Sequence, residues 1–104
     1  MSPQEKLYTE IGDTIEDVTL SKMFGKPCLK INGKAFASFF ENEMVFKLQG
    51  EDHTRALALD GSQLFDPSRK GRPMKEWVQV PYAHKKEWQP LTLSALVYVQ
   101  SLTK

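Results

Sequence analysis

Near the N-terminus, Leu7, Ile11 and Ile15 recur at four-residue intervals with acids between them, the pattern of a helix with one apolar stripe. Ser2 and Glu5 have capping-box spacing, and Pro3 falls at the first helical position, where its missing N–H costs nothing. The helix is predicted to end near Asp17, weakened at Gly12 by about 1 kcal/mol relative to alanine.

From Thr19 to Leu48 the period shortens. The segments 28–31 and 35–40 flank Asn32-Gly33, a tight-turn pair that supplies the two positive φ angles of a type I′ hairpin. Glu41-Asn42-Glu43 is a second polar reversal, after which Met44, Phe46 and Leu48 alternate with Val45 and Lys47 as in a half-buried strand. Three or four sequential antiparallel strands follow from this. A short helix is predicted over 51–59, with acids in its first turn and Asp60-Gly61 to stop it. Two prolines, a glycine and three basic residues make 66–73 a loop, and 74–80 alternates as a strand closed by Pro81. In the last element, 91–102, the apolar band through Leu91, Ala95, Val99 and Leu102 is widened by Leu93, Leu96 and Val97, so burial of most of it is expected. Ala83 to Trp88 suits one helical turn, with Pro90 opening the final helix. The expected fold is therefore α+β: a single antiparallel sheet of about four to five strands with an N-terminal helix, a short middle helix and a C-terminal helix packed on it.

A chain of 104 residues is too short for two independent cores, so residues 1–104 are read as one domain. No apolar run approaches the roughly 18 residues needed to cross a bilayer, and the first residues are polar and acidic rather than signal-like. A single cysteine, Cys28, cannot form an internal disulfide, which suits a reducing compartment. The cytoplasm is expected, with no membrane partner. A net charge of +1 lacks the strong basic footprint of non-specific nucleic-acid binders. The charge is nevertheless ordered along the chain. Residues 1–18 hold five acids against Lys6, whereas 69–86 hold Arg69, Lys70, Arg72, Lys75, Lys85 and Lys86 against Glu76.

Little here points to catalysis. His53 and His84 are far apart and share no metal-ligand spacing, so no metal and no other cofactor is expected, and both read as surface histidines. Cys28 reads as a small buried hydrophobe, pointing away from Lys26 and Lys30, rather than as a reactive thiol. The acids are unclustered, and there is no phosphate-binding glycine loop, dinucleotide fingerprint or nucleophile elbow, so an enzyme is not expected. Trp77 and Trp88 read as core or rim residues rather than stacking platforms for bases. The sharpest local feature is 69–75. Lys70-Gly71-Arg72-Pro73 resembles the Arg-Gly-Arg-Pro core of an AT-hook, a minor-groove arm, with lysine replacing its first arginine. The alternative is a solvated structural loop.

Met23-Phe24-Gly25, Leu29, Asn32-Gly33-Lys34, the strand over 44–48 and Gly71-Arg72-Pro73-Met74-Lys75 with Trp77 and Val78 together resemble the TfoX/Sxy N-terminal domain family, over roughly 21–99. The resemblance implies an antiparallel sheet with helices packed on it. Longer members carry a helical C-terminal domain after it, and the best-known ones are bacterial regulators of competence for DNA uptake that act with a transcription activator. This chain is expected to comprise the N-terminal domain alone, and it has Lys26-Pro27-Cys28 where many relatives carry further glycines. The resulting expectation is a non-enzymatic bacterial protein-interaction or regulatory domain. Its partner would be an unidentified protein with an acidic surface, contacted through a surface loop carrying Arg69, Lys70, Arg72 and Lys75. The alternative is a weak nucleic-acid-binding module using the same loop, and self-association is left open.

Overall fold

The computed structural model describes residues 2–23, 26–66, 71 and 73–102. The described chain forms helix α1 (Pro3–Asp13), strands β1 (Val18–Met23), β2 (Lys26–Ile31), β3 (Lys34–Phe40) and β4 (Glu43–Lys47), helix α2 (Gly50–Ala58), strands β5 (Gln63–Phe65) and β6 (Met74–Val80), a single 3-10 turn (Tyr82–His84) and helix α3 (Lys85–Leu102). The strands make one antiparallel sheet in the order β1-β2-β3-β4-β6-β5. The sheet thus has six strands rather than four to five. The uncounted strand, β5, is only three residues long, too short to show an alternation.

Each helix starts and stops for a local reason. The Ser2 hydroxyl accepts the Glu5 backbone N–H and Pro3 opens α1, as the capping spacing requires. The helix ends at Asp13, short of the expected Asp17: the Thr14 hydroxyl donates to the Ile11 carbonyl, and Asp17 at φ 64° turns the chain into β1. Helix α3 begins earlier than expected, at Lys85, and runs through Pro90. The carbonyl that Pro90 deprives of a donor belongs to exposed Lys86, close to the helix start, where water can satisfy it.

The first four strands form a meander joined by two-residue reversals. Asn32 and Gly33 both have positive φ, 52° and 79°, between the paired Ile31 and Lys34. Glu41 and Asn42, at 51° and 65°, repeat that geometry between Phe40 and Glu43. A bulge interrupts the β2–β3 ladder. Leu29 pairs with Ala37 but Lys30 with Ala35, so Phe36 is the extra residue.

The two faces of the sheet carry separate clusters, and the bulge sets Phe36 beside Ala37 on one of them. Phe36, Ala37 and Phe39 pack with Leu29, Ile31, Met44, Phe46, Val78 and Val80 beneath Tyr8 and Ile11 of α1, Ala56 of α2, and Trp88, Leu91, Ala95 and Val99 of α3. All three helices therefore cover one face. The other face holds a smaller cluster built from strands only: Phe40, Val45, Phe65 and Trp77, with Ala35 and Met74 against them. Phe40 on β3 and Phe65 on β5 lie three strand positions apart, about 14 Å in a flat sheet, yet their rings meet edge to face at 5.2 Å. The sheet consequently curls, and its helix-free face is concave.

Candidate functional site

The loop expected to carry the contact falls largely outside what can be described: Arg69, Lys70 and Arg72 lie outside the described residues. Gly71, between them, has φ 75°, and its N–H donates to the Asp66 carboxylate at 3.0 Å. Lys75 is exposed, but it belongs to strand β6 and not to the loop. Its carbonyl accepts from His53 Nε2 at 2.8 Å, which ties α2 to the start of β6.

His84 has the same kind of role. Its Nε2 donates to the Asp60 carbonyl at 2.7 Å and clamps the 3-10 turn to the loop after α2. Both histidines are half-buried links between elements rather than plain surface residues. Among the described residues, no group of three or more His, Cys, Asp and Glu side chains is placed to hold a metal.

Cys28 is fully buried. The expectation that it points away from Lys26 and Lys30 fails, because residues two apart in a strand share a face. Burial nonetheless pushes the thiol's pKa up, and the nearby Lys30 only partly opposes this. A thiol held protonated under cover is a packing group. Beside it, the Ser38 hydroxyl donates to the Pro27 carbonyl at 2.8 Å.

The same alternation exposes a feature that the sequence reading missed. Lys26 and Lys30 of β2 project on the helix-free face, and Lys47 of β4, paired with Trp77, joins them. The Lys26 ammonium lies 5.3 Å from the centre of the Phe40 ring, a cation–π contact that holds it over the aromatic cluster. Glu43, the acid that strand β4 adds to this face, accepts from the Gln79 amide at 2.6 Å. The spacing of Lys26, Cys28 and Lys30 in one strand was the available signal. Alternation sets all three on one face, whereas the expectation set Cys28 opposite the two lysines.

Phe40, Phe65 and Trp77 are themselves buried, so they offer no open ring for a base to stack on. Trp88 is wholly buried under α3. Between the end of β3 and β5 a recess of about 370 Å³ is lined by Phe40, Glu41, Gln63, Leu64, Asp66 and Gln79. The helix-free side of the domain thus combines a self-filled aromatic floor, lysines from β2 and β4, and a polar recess at its edge.

No curated protein and no solved structure matches the chain significantly. The model of the TfoX N-terminal domain does match, over residues 10–95, a span that includes the last residues of α1, the whole sheet and most of α3. The chain belongs to the TfoX N-terminal domain family.

Proposed function

We propose that this domain is a bacterial regulatory module that works by binding an acidic protein segment on its helix-free face, without catalysis. The observation that carries the reading is the placement of Lys26, Lys30 and Lys47 on the one sheet face that no helix covers. In sequence, the basic residues Arg69, Lys70 and Arg72 fall between β5 and β6, two strands that contribute to that face. A concave, prefilled surface ordered before binding loses little conformational entropy on association, and clustered lysines and arginines steer an acidic partner. Buried aromatics weigh against the alternative of a single-stranded nucleic-acid platform, which needs exposed rings.

The test is affinity capture from a lysate of the source cell, comparing the wild type with a variant in which Arg69, Lys70 and Arg72 are alanine. Binding through this region requires that the variant melt at nearly the wild-type temperature and lose its partner, with wild-type capture weakening as salt rises. A variant that unfolds at clearly lower temperature but still captures would assign the loop a structural role. Normal capture by a stable variant would remove the reading. Loss of sequence-independent DNA binding in a parallel titration would promote the nucleic-acid alternative.

A further inference from the structure

The sheet order leaves two edge strands, β1 and β5, and they are guarded unequally. Strand β5 is three residues long and carries a register shift against β6, both of which blunt an edge. Strand β1 is six residues long, pairs with β2 without interruption and contains no proline. Alternate N–H and C=O groups along it point away from β2, where no strand of the described residues receives them. An edge that long and regular is a template for another strand.

The side chains of β1 determine which strand fits. Leu20, paired with Leu29 on the helix-covered face, is 52% exposed although it sits mid-strand beside Gly12 of α1. Alternation puts Lys22 on that face too. Ahead of the strand, Asp13, Glu16 and Asp17 follow one another at the C-terminal end of α1, whose last turn holds no basic residue. The helix dipole adds to the negative potential there and favours a cation. These three acids and Lys22 are exposed, and among the described residues none of them forms a salt bridge. Along the chain the edge therefore runs acid, leucine, lysine. An antiparallel strand that offers lysine to the acids, an apolar group to Leu20 and acids to Lys22 has the same order in its own direction. The segment is complementary to itself.

We propose that β1 is a homodimer edge, at which two copies of the chain pair their β1 strands antiparallel about a two-fold axis at Leu20 and join their sheets into one. In that register Leu20 meets Leu20 of the partner subunit. Lys22 lies opposite Val18 of the partner subunit, next to the partner subunit's Glu16 and Asp17 and to the carbonyl end of the facing α1. A two-fold axis repeats that contact on its other side, so each copy gives a lysine and receives one. Directly opposed residues of antiparallel strands share a face, as this register requires. One pair of strands with its flanking side chains lies at the low end of stable interfaces, around 1,000 Å² in total, so the dimer forms in a concentration-dependent way. The pairing uses the helix-covered side of β1 and stands apart from the lysines of the concave face.

Sedimentation velocity over a dilution series, with amide hydrogen exchange at low and high concentration, tests it. The wild type is expected to pass from monomer to dimer, and alternate amides of β1 to gain protection as it does. Leu20→Lys sets two cations directly opposite each other and should raise the dissociation constant at least about tenfold. The dilute variant should melt at nearly the wild-type temperature, because much of this side chain faces solvent and a lysine stem covers the neighbours that leucine covered. Lys22→Glu, at an exposed position, should weaken the dimer by about three- to tenfold. Adding Glu16→Lys should recover most of that loss, because the two changes exchange the charges across each contact. A wild type that stays monomeric to about millimolar concentration would overturn the proposal. So would a dimer whose β1 amides exchange as fast as the monomer's, or one indifferent to both Leu20→Lys and Lys22→Glu. A combined variant no better than Lys22→Glu alone would overturn the register at Leu20.

Discussion

Gly12 lies on the buried side of α1, where a Cβ would stand 2.9 Å from Leu29 Cδ2 and 3.3 Å from Leu20 Cδ2. From helix propensity alone, Gly12→Ala should stabilise by about 1 kcal/mol. Leu29 is fully buried and has nowhere to turn, so α1 must lift from the sheet, and overpacking of this kind costs about 1–3 kcal/mol. The expected balance is a net loss of about 1 kcal/mol, read as a lower urea midpoint with an unchanged slope. A raised midpoint would mean that Leu29 yields. One turn earlier, Tyr8 packs its ring on Phe39 at 5.3 Å, while its hydroxyl is buried without a hydrogen-bond partner among the described residues. Burial, reinforced by nearby Cys28, pushes the phenol's pKa well above the ordinary tyrosine value. The sign follows directly. Above about pH 10 the unfolded chain gives up a proton that the folded chain retains, so stability falls as pH rises through that value. Tyr8→Phe keeps the ring contact, and at pH 7 should be neutral or stabilising by up to about 1 kcal/mol. It should also reduce the loss of urea midpoint between neutral and strongly alkaline pH. An equal alkaline loss in wild type and variant would contradict this account.

The β2–β3 hairpin shows how far local sequence reaches at the scale of an element. Asn32-Gly33 was legible because few residue pairs tolerate positive φ at both positions, and the turn has that backbone. Gly33→Val forces a β-branched residue into the left-handed region and should destabilise by about 1–2 kcal/mol, measured by thermal or urea unfolding. No loss would mean that the turn relaxes into another type. The capped start of α1, the alternation over β4 and the strand over 74–80 were legible for similar reasons, because each rests on contacts within a few residues. The bulge at Phe36 was not. It depends on the register against β2, and it places Phe36 and Ala37 together on the helix face, where simple alternation would separate them. Strand β5 exists only because β6 offers it an edge. Of the candidate site, the sequence showed the charge of 69–75 but not the lysines of β2 and β4 beside it, because facing requires knowing which side of the sheet the helices take. The exposure of Leu93 and Val97 on α3, in a band expected to be buried, escaped for the same reason: a wide apolar band looks identical whether its second side is covered or open.

At the scale of the whole molecule, the domain presents two uncovered surfaces on opposite sides of one sheet. The lysines of β2 and β4 lie on the concave face, and Leu20 and Lys22 lie on the other, at the free edge of β1. A close-packed core transmits little unless an element has two arrangements to choose between, and β1 is pinned along its length, each of its residues paired with β2. The two surfaces should therefore act independently. A short poly-glutamate peptide, which can engage only one domain at a time and so gains nothing from avidity, is a suitable probe of the concave face. Lys30→Ala with Lys47→Ala should weaken its binding and flatten the salt dependence while leaving the monomer–dimer equilibrium unchanged. Leu20→Lys should disrupt the dimer and leave peptide affinity within about twofold, and the combined changes should add to within about 0.5 kcal/mol. Coupling larger than that in either direction would mean that the sheet shifts as one surface is occupied. The domain would then be a switch linking assembly to partner binding rather than a rigid support for two separate contacts.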